Sequence, residues 1–241
     1  MGFFDFLKRG TTEGKIENYA KKVRKKDTPV EERQACCEWL AEEGSTDAIL
    51  ALLGRFEMTY EHGMKDAQEK ERVERLVLGL GDRAIDPLET FVRSCKSFSR
   101  PLKLYERLAG KDAAKTIVLE LVDVEFAKSG LKPAKKRDLL VKLADFRGPD
   151  VVESATRFVD DFDAASRYNA VEVLLAQPDT DAIRDLLVAR LADPEEDSGR
   201  LKFKIGEAAA GRRWPLGDHA DAVAAEPPNN FKVHNGLLVP G

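Results

Sequence analysis

From Val30 to Ala210 the apolar residues recur at spacings of three, four and seven, the period of helices that each bury one face. Turn-forming residues interrupt this pattern at Gly44, Gly81, Gly110, Gly148, Pro178 and Gly211, at intervals of 37, 29, 38, 30 and 33 residues. A spacing of about 33 residues accommodates two helices of ~12 residues and two turns. The chain therefore reads as a run of helical hairpins.

Each of the first five breaks is followed by a helix start. Ser45-Thr46-Asp47 precedes Ile49 to Phe56, Asp86-Pro87 precedes Leu88 to Val92, and Asp112 precedes Ile117 to Leu121. Pro149-Asp150 and Asp179-Thr180-Asp181 do the same for Val151 to Val159 and Ile183 to Leu191. Acceptor side chains and acidic charge at these positions satisfy free amides and favour the positive end of the helix dipole. The first helix of each pair lies before its break and carries, in turn, Trp39 and Leu40, Val73 to Leu80, Leu104 and Leu108, Leu139 to Leu143, Val171 to Leu175, and Leu201 to Ala208. One hairpin cannot hide such a stripe. Stacked neighbours can, and each buried leucine then contributes about 1.5–3 kcal/mol of transfer free energy. The expected fold is all-α: a right-handed α-α solenoid of five to six pairs over residues 30–225, with the second helices lining its concave side.

The sequence at this point resembles HEAT repeats in their short bacterial form, related to phycobilin-lyase-type repeats. The residues that carry the resemblance are Arg167-Tyr168-Asn169-Ala170-Val171-Glu172-Val173-Leu174-Leu175 followed by Asp181-Ala182-Ile183-Arg184-Asp185-Leu186-Leu187, with Ala35 to Leu53 matching the same scheme. It covers roughly residues 30 to 212. The third repeat departs from it, with a short first helix and Pro101 near its start. A repeat-level resemblance implies a fold and does not imply lyase activity.

Three regions fall outside the repeat. Residues 1–29 hold an aromatic arm (Phe3, Phe4, Phe6, Leu7) and a basic helix through Lys21-Lys22-Val23-Arg24-Lys25-Lys26. Residues 57–66 read as an inserted loop with two methionines and a tyrosine. Residues 226–241 end in Phe231 to Val239 around Asn235-Gly236, a β-hairpin signal, because Asn-Gly tolerates the positive φ angles of a two-residue turn. The hairpin is expected to cover the last helix pair.

Composition narrows the function classes. Thirty-nine basic residues stand against 43 acidic ones, a net charge of −4. That balance argues against a nucleic-acid partner, which rewards a cationic excess. Three cysteines, Cys36, Cys37 and Cys95, and three scattered histidines give no zinc spacing, and free thiols fit a reducing cytoplasm. Cys36 and Cys37 read as helix packing. No apolar run approaches the ~18 residues of a membrane span, and the N-terminus lacks the order of a secretory signal. The arm, with Lys8, Arg9 and the basic run behind it, fits a fold-back onto the first repeat, a partner contact, or at most peripheral attachment to anionic lipid.

Enzymes of similar architecture carry recognisable constellations. Alkylpurine DNA glycosylases combine basic groove residues with tryptophan and a carboxylate; the counterparts here would be Arg212-Arg213-Trp214, Arg100, Lys103, Arg107 and Trp39. Deoxyhypusine-hydroxylase-type repeats carry His-Glu pairs, whereas this chain has only the reversed Glu61-His62. The carboxylate runs Asp160-Asp161-Asp163 and Glu195-Glu196-Asp197 fall at expected turns and read as caps. No cofactor or metal site is expected. The sequence reading is a non-catalytic scaffold that holds a protein partner on its second helices, with a glycosylase-related DNA binder as the alternative. Expected contact residues are Asp47, Arg55, Glu89, Arg93, Glu120, Glu153, Arg157, Arg184 and Arg190, with Phe3, Phe4 and Phe6 of the arm. Their mixed signs suit a charged protein surface better than a phosphate backbone.

Overall fold

A computed structural model describes residues 11–60, 63–127 and 134–241. The arm residues Phe3, Phe4 and Phe6, and the pair Glu61-His62, lie outside the described residues. The protein is all-α with many stacked helices and a small C-terminal β-hairpin, a generic helical-repeat arrangement. It divides into two compact units, residues 1–117 and 118–241.

The first unit contains α1 (Thr12–Arg24), α2 (Val30–Glu43), α3 (Thr46–Leu53), α4 (Gly63–Gly79), α5 (Ile85–Ser94), α6 (Ser99–Ala109) and the start of α7 (Lys111–Ala127). Its core is built from Leu40, Leu52, Val77, Leu88, Val92 and Leu102, all essentially without solvent contact. The basic helix α1 lies outside the repeat pattern yet packs on both α2 and α3, burying Ile16 and Val23. Ser45 caps α3 through the amide of Ala48, as its sequence position predicts. Gly44 ends α2 with φ of +62°, beneath a guanidinium of Arg83 that donates to its carbonyl at 2.6 Å. A side chain there would meet both backbone strain and the arginine.

The insertion differs from the sequence expectation. The segment read as an inserted loop is partly helical, because Gly54–Glu57 forms a 3-10 turn and α4 already begins at Gly63. Arg55 on that turn and Asp66 on α4 pair at 2.7 Å, which draws the first turn of α4 onto the core. The first helix of the third pair is Ser99–Ala109, with Pro101 buried in its first turn, where no amide is needed.

The second unit contains the rest of α7, then α8 (Ala134–Leu143), α9 (Pro149–Thr156), α10 (Ala164–Leu175), α11 (Asp181–Ala192), α12 (Gly199–Arg212) and α13 (Ala220–Ala225), followed by β1 (Phe231–His234) and β2 (Leu237–Pro240). Leu140, Leu143, Val151, Val171, Leu174, Leu187, Leu201 and Ile205 form its core. The expected caps Asp163 and Thr180 accept from the amides of Ser166 and Ile183. The break expected at Gly211 falls two residues later. There Arg213 takes the left-handed conformation and buried Trp214 donates its amide to the carbonyl of Ala209.

The two strands pair antiparallel, with Phe231 opposite Pro240 and His234 opposite Leu237. Asn235 and Gly236 both have positive φ, 50° and 71°, as their sequence predicts. The hairpin lies on the last helix pair, β2 against α12 and β1 against α13, with Leu238 buried. Close approach at Gly206 is part of the fit, since a β-carbon there would stand 2.9 Å from the ring of Pro228.

Candidate interaction surfaces

The second helices, α3, α5, α7, α9, α11 and α13, alternate with the first helices along the chain. On the first unit, Asp47 is exposed in the opening turn of α3. On α5, Arg93 and Glu89 form an i,i+4 pair at 2.8 Å, and the Tyr105 hydroxyl donates to the other oxygen of Glu89 at 3.2 Å. Burial and then the neighbouring Glu89 raise the pKa of that phenol. On the second unit, Glu120 and Glu153 are exposed. Arg157 pairs with Asp123 and lies 4.9 Å above the ring of Phe126, which meets Phe158 edge-on. Arg184 bonds Asp181 and Asp185 at 2.8 and 2.9 Å on its own helix.

Two expected contact residues do not face solvent. Arg55 has no exposed side chain at all. It donates to Asp66 at 2.7 Å, to Glu69 at 3.0 Å and to the carbonyl of Met58 at 3.0 Å. The residue follows α3 on the 3-10 turn, which rotates it inward. Arg190 keeps only 10% of its side chain exposed, because it bonds Glu196 at 2.5 Å while also holding Asp160 and Asp193.

These two belong to a set of buried charges that pattern reading missed. In the first unit Arg33, Arg55, Asp66, Glu69 and Lys70 are all buried. Arg33 donates to both oxygens of Glu69, at 2.8 and 3.2 Å, and to the carbonyls of Lys25 and Thr28, so it also secures the end of α1. The ring of Tyr60 lies over both guanidiniums, 4.8 and 5.1 Å from its centre. In the second unit Lys136 meets Asp161 at 2.7 Å, and Arg167 meets Glu196 at 2.8 Å while binding the carbonyls of Asp161 and Phe162. Arg33, Lys136 and Arg167 share one register. Each is followed at three, four and seven positions by buried apolar residues: Cys36, Cys37 and Leu40; Leu139, Leu140 and Leu143; Ala170, Val171 and Leu174. A cation at the head of an apolar stripe was therefore a signal that the sequence did carry.

The carboxylate runs divide in role. Asp163 is a cap, and it also binds Arg137. The Arg137 pair, with the Ser166 bonds behind it, holds its carboxyl well below the usual range. Glu196 is instead a buried ion-pair acceptor. Burial pushes its pKa up, but hydrogen bonds from Arg167, the Ser198 amide and Arg190 outweigh this and keep it below the ordinary 4.5. Asp66 is depressed in the same way, burial being outweighed by Lys70 and Arg55. A carboxyl whose folded pKa lies below its unfolded value adds stability above the unfolded value and loses it as pH falls through the folded one. Stability monitored by circular dichroism is therefore expected to be flat from neutral pH to about 5 and to fall steeply below about pH 4. Alanine at Asp163 should flatten that fall. An unchanged acid profile in this variant would contradict the assignment.

Four of the residues that a glycosylase reading would use have other occupations, while Lys103, Arg107 and Arg213 are exposed. Trp214 is buried and donates to Asp179 at 3.1 Å, Trp39 meets Tyr19 edge-on, Arg212 binds the Leu175 carbonyl at 2.8 Å, and Arg100 pairs with Glu74. The three thiols are buried, and burial pushes that of Cys37 up to about 12. Among the described residues no group of three or more His, Cys, Asp or Glu side chains could hold a metal ion, and no helix is long and apolar enough to cross a membrane. No family model, curated protein or solved structure matches the chain.

Proposed function

We propose that this protein is a non-catalytic scaffold of HEAT type, built as a right-handed solenoid, that binds a protein partner on its second helices. The observation that supports the reading is the alternation itself. Among the described residues six first helices and six second helices follow one another, apolar stripes are buried, and charged residues of both signs remain on the second helices. Such surfaces suit a partner with a matching mixed pattern. On this reading Asp47, Glu89, Arg93, Glu120, Glu153, Arg157 and Arg184 are the contact residues, and the protein works in the cytoplasm.

The test is affinity capture with the whole chain and with an R157E/R184E variant. Both arginines are partly exposed and held by exposed carboxylates, so the variant should keep the wild-type circular dichroism spectrum. It should bind the captured partner at least about tenfold more weakly. Equal binding would overturn the assignment of this face. A mobility shift of duplex DNA at low salt, with no protein captured, would overturn the partner class.

A further inference from the structure

The turn at residues 160–163 of the second unit reads Asp-Asp-Phe-Asp, and its aromatic is out of place. Phe162 is 70% exposed, while the aspartates and carbonyls on either side of it are held by ion pairs and hydrogen bonds. Asp160 bonds Arg190 at 3.0 Å, Asp161 bonds Lys136 at 2.7 Å, and Asp163 bonds Arg137. The carbonyls of Asp161 and Phe162 accept from Arg167 at 3.0 and 3.3 Å, and the amide of Asp163 donates to Asp161 at 2.9 Å. Lys136 lies 4.6 Å from the Phe162 ring centre on its inner side. One face of the ring thus covers the lysine, and the rest of it is open to water.

The neighbouring turn, residues 193–197, is clamped to the first through Arg167 and Arg190, both of which also bind Glu196. The orientation of these pairs matters. Arg167 and Arg190 are inside, 8% and 10% exposed, while their partners Asp197 and Asp160 are 86% and 79% exposed; Arg137, on Asp163, is the partly exposed cation at 43%. Glu195 is exposed as well, and the nearby cation Arg200 is stacked on the Tyr168 ring at 3.7 Å. The edge thus shows water a fixed aromatic bordered by carboxylates. An ordered apolar anchor costs little conformational entropy on binding, which is the property of interface residues that dominate affinity.

We infer that Phe162, with Asp160, Glu195 and Asp197 around it, is a docking edge for a lysine- and arginine-bearing amphipathic segment of a partner protein, whose apolar residues pack on the ring. Charge complementarity selects this occupant: the outward carboxylates favour a basic segment and disfavour nucleic acid and anionic lipid. The inference rests on the scaffold reading only in taking the partner to be a protein.

The experiment is selection of a displayed random peptide library on the whole chain, followed by fluorescence anisotropy with the selected peptides. The expected peptides combine lysine or arginine with large apolar residues. F162A should weaken them by roughly thirtyfold, the scale of a dominant interface residue, without moving the melting temperature. D160N/D197N should weaken them severalfold and reduce their salt dependence. No enrichment, enrichment of acidic or neutral peptides, or equal binding to F162A would each overturn the inference. So would a loss of self-association in F162A on sedimentation, which would make the occupant a second copy. Binding lost in R157E/R184E but kept in F162A sinks this edge and spares the second-helix reading, and the reverse result sinks that reading and spares the edge.

Discussion

Replacement of Glu196 by alanine is expected to destabilise the second unit by about 3–5 kcal/mol, the usual cost of removing one partner from a buried ion pair. Its side chain has no exposed surface and accepts from Arg167 at 2.8 Å and Arg190 at 2.5 Å. It also accepts from the amide of Ser198, which itself caps α12. Without the carboxylate, two guanidiniums that are nine-tenths buried retain only rim carboxylates as ionic partners, Asp197 for Arg167, which also keeps its bonds to the carbonyls of Asp161 and Phe162, and Asp160 with Asp193 for Arg190. Glutamine should cost less, because it keeps the shape and an acceptor oxygen while losing the charge. Denaturant unfolding of the two variants checks both the size and the order, and near-equal stabilities for wild type and E196A would show that Glu196 is not the anchor described.

A second large effect is expected at Arg55. If this residue faced a partner, charge reversal would change binding and leave stability alone. Its burial predicts the opposite. R55A removes the cation between Asp66 and Glu69 and orphans the carbonyl of Met58. Each carboxylate keeps one other cation, Lys70 for Asp66 and Arg33 for Glu69, so the loss should lie near the lower end of the range, about 3 kcal/mol. The melting temperature should fall on the order of 10 °C. R93A on the neighbouring second helix removes an exposed i,i+4 pair and should cost about 0.5 kcal/mol. A melt in which R55A and R93A behave alike would refute the buried placement.

Residues that read correctly from sequence share one feature: their structural meaning is local. Ser45, Asp163 and Thr180 cap helices because a short acceptor can reach an amide three residues ahead within its own segment. Asn235-Gly236 turns the chain because its preference for positive φ needs no distant partner. Gly44, Gly81, Gly110 and Gly148 all have positive φ at or beside the expected breaks. Misjudged residues had meanings set elsewhere in the chain. Arg55 and Arg190 looked like outward charges on amphipathic helices, and they turn inward because carboxylates 11 to 14 and six residues away in sequence meet them there. The outward display of Phe162 depends on four cations from three helices, Arg167 on its flanking carbonyls and Lys136, Arg137 and Arg190 on the flanking aspartates.

By itself, then, the chain's sequence determined the alternation of helices, most of their ends, and the hairpin, since periodicity and capping act over one or two turns of chain. Which charges are interior was decided only in the tertiary structure. A buried ion exists where its partner arrives, and that arrival depends on how helices from different pairs are stacked; the register of Arg33, Lys136 and Arg167 marks the cation locally, but the carboxylate that meets it is a long-range property. The same reason separates legible architecture from the candidate surfaces: a helical stripe announces what it hides, whereas the exposed edge around Phe162 took shape only when two turns were brought together by Arg167 and Arg190.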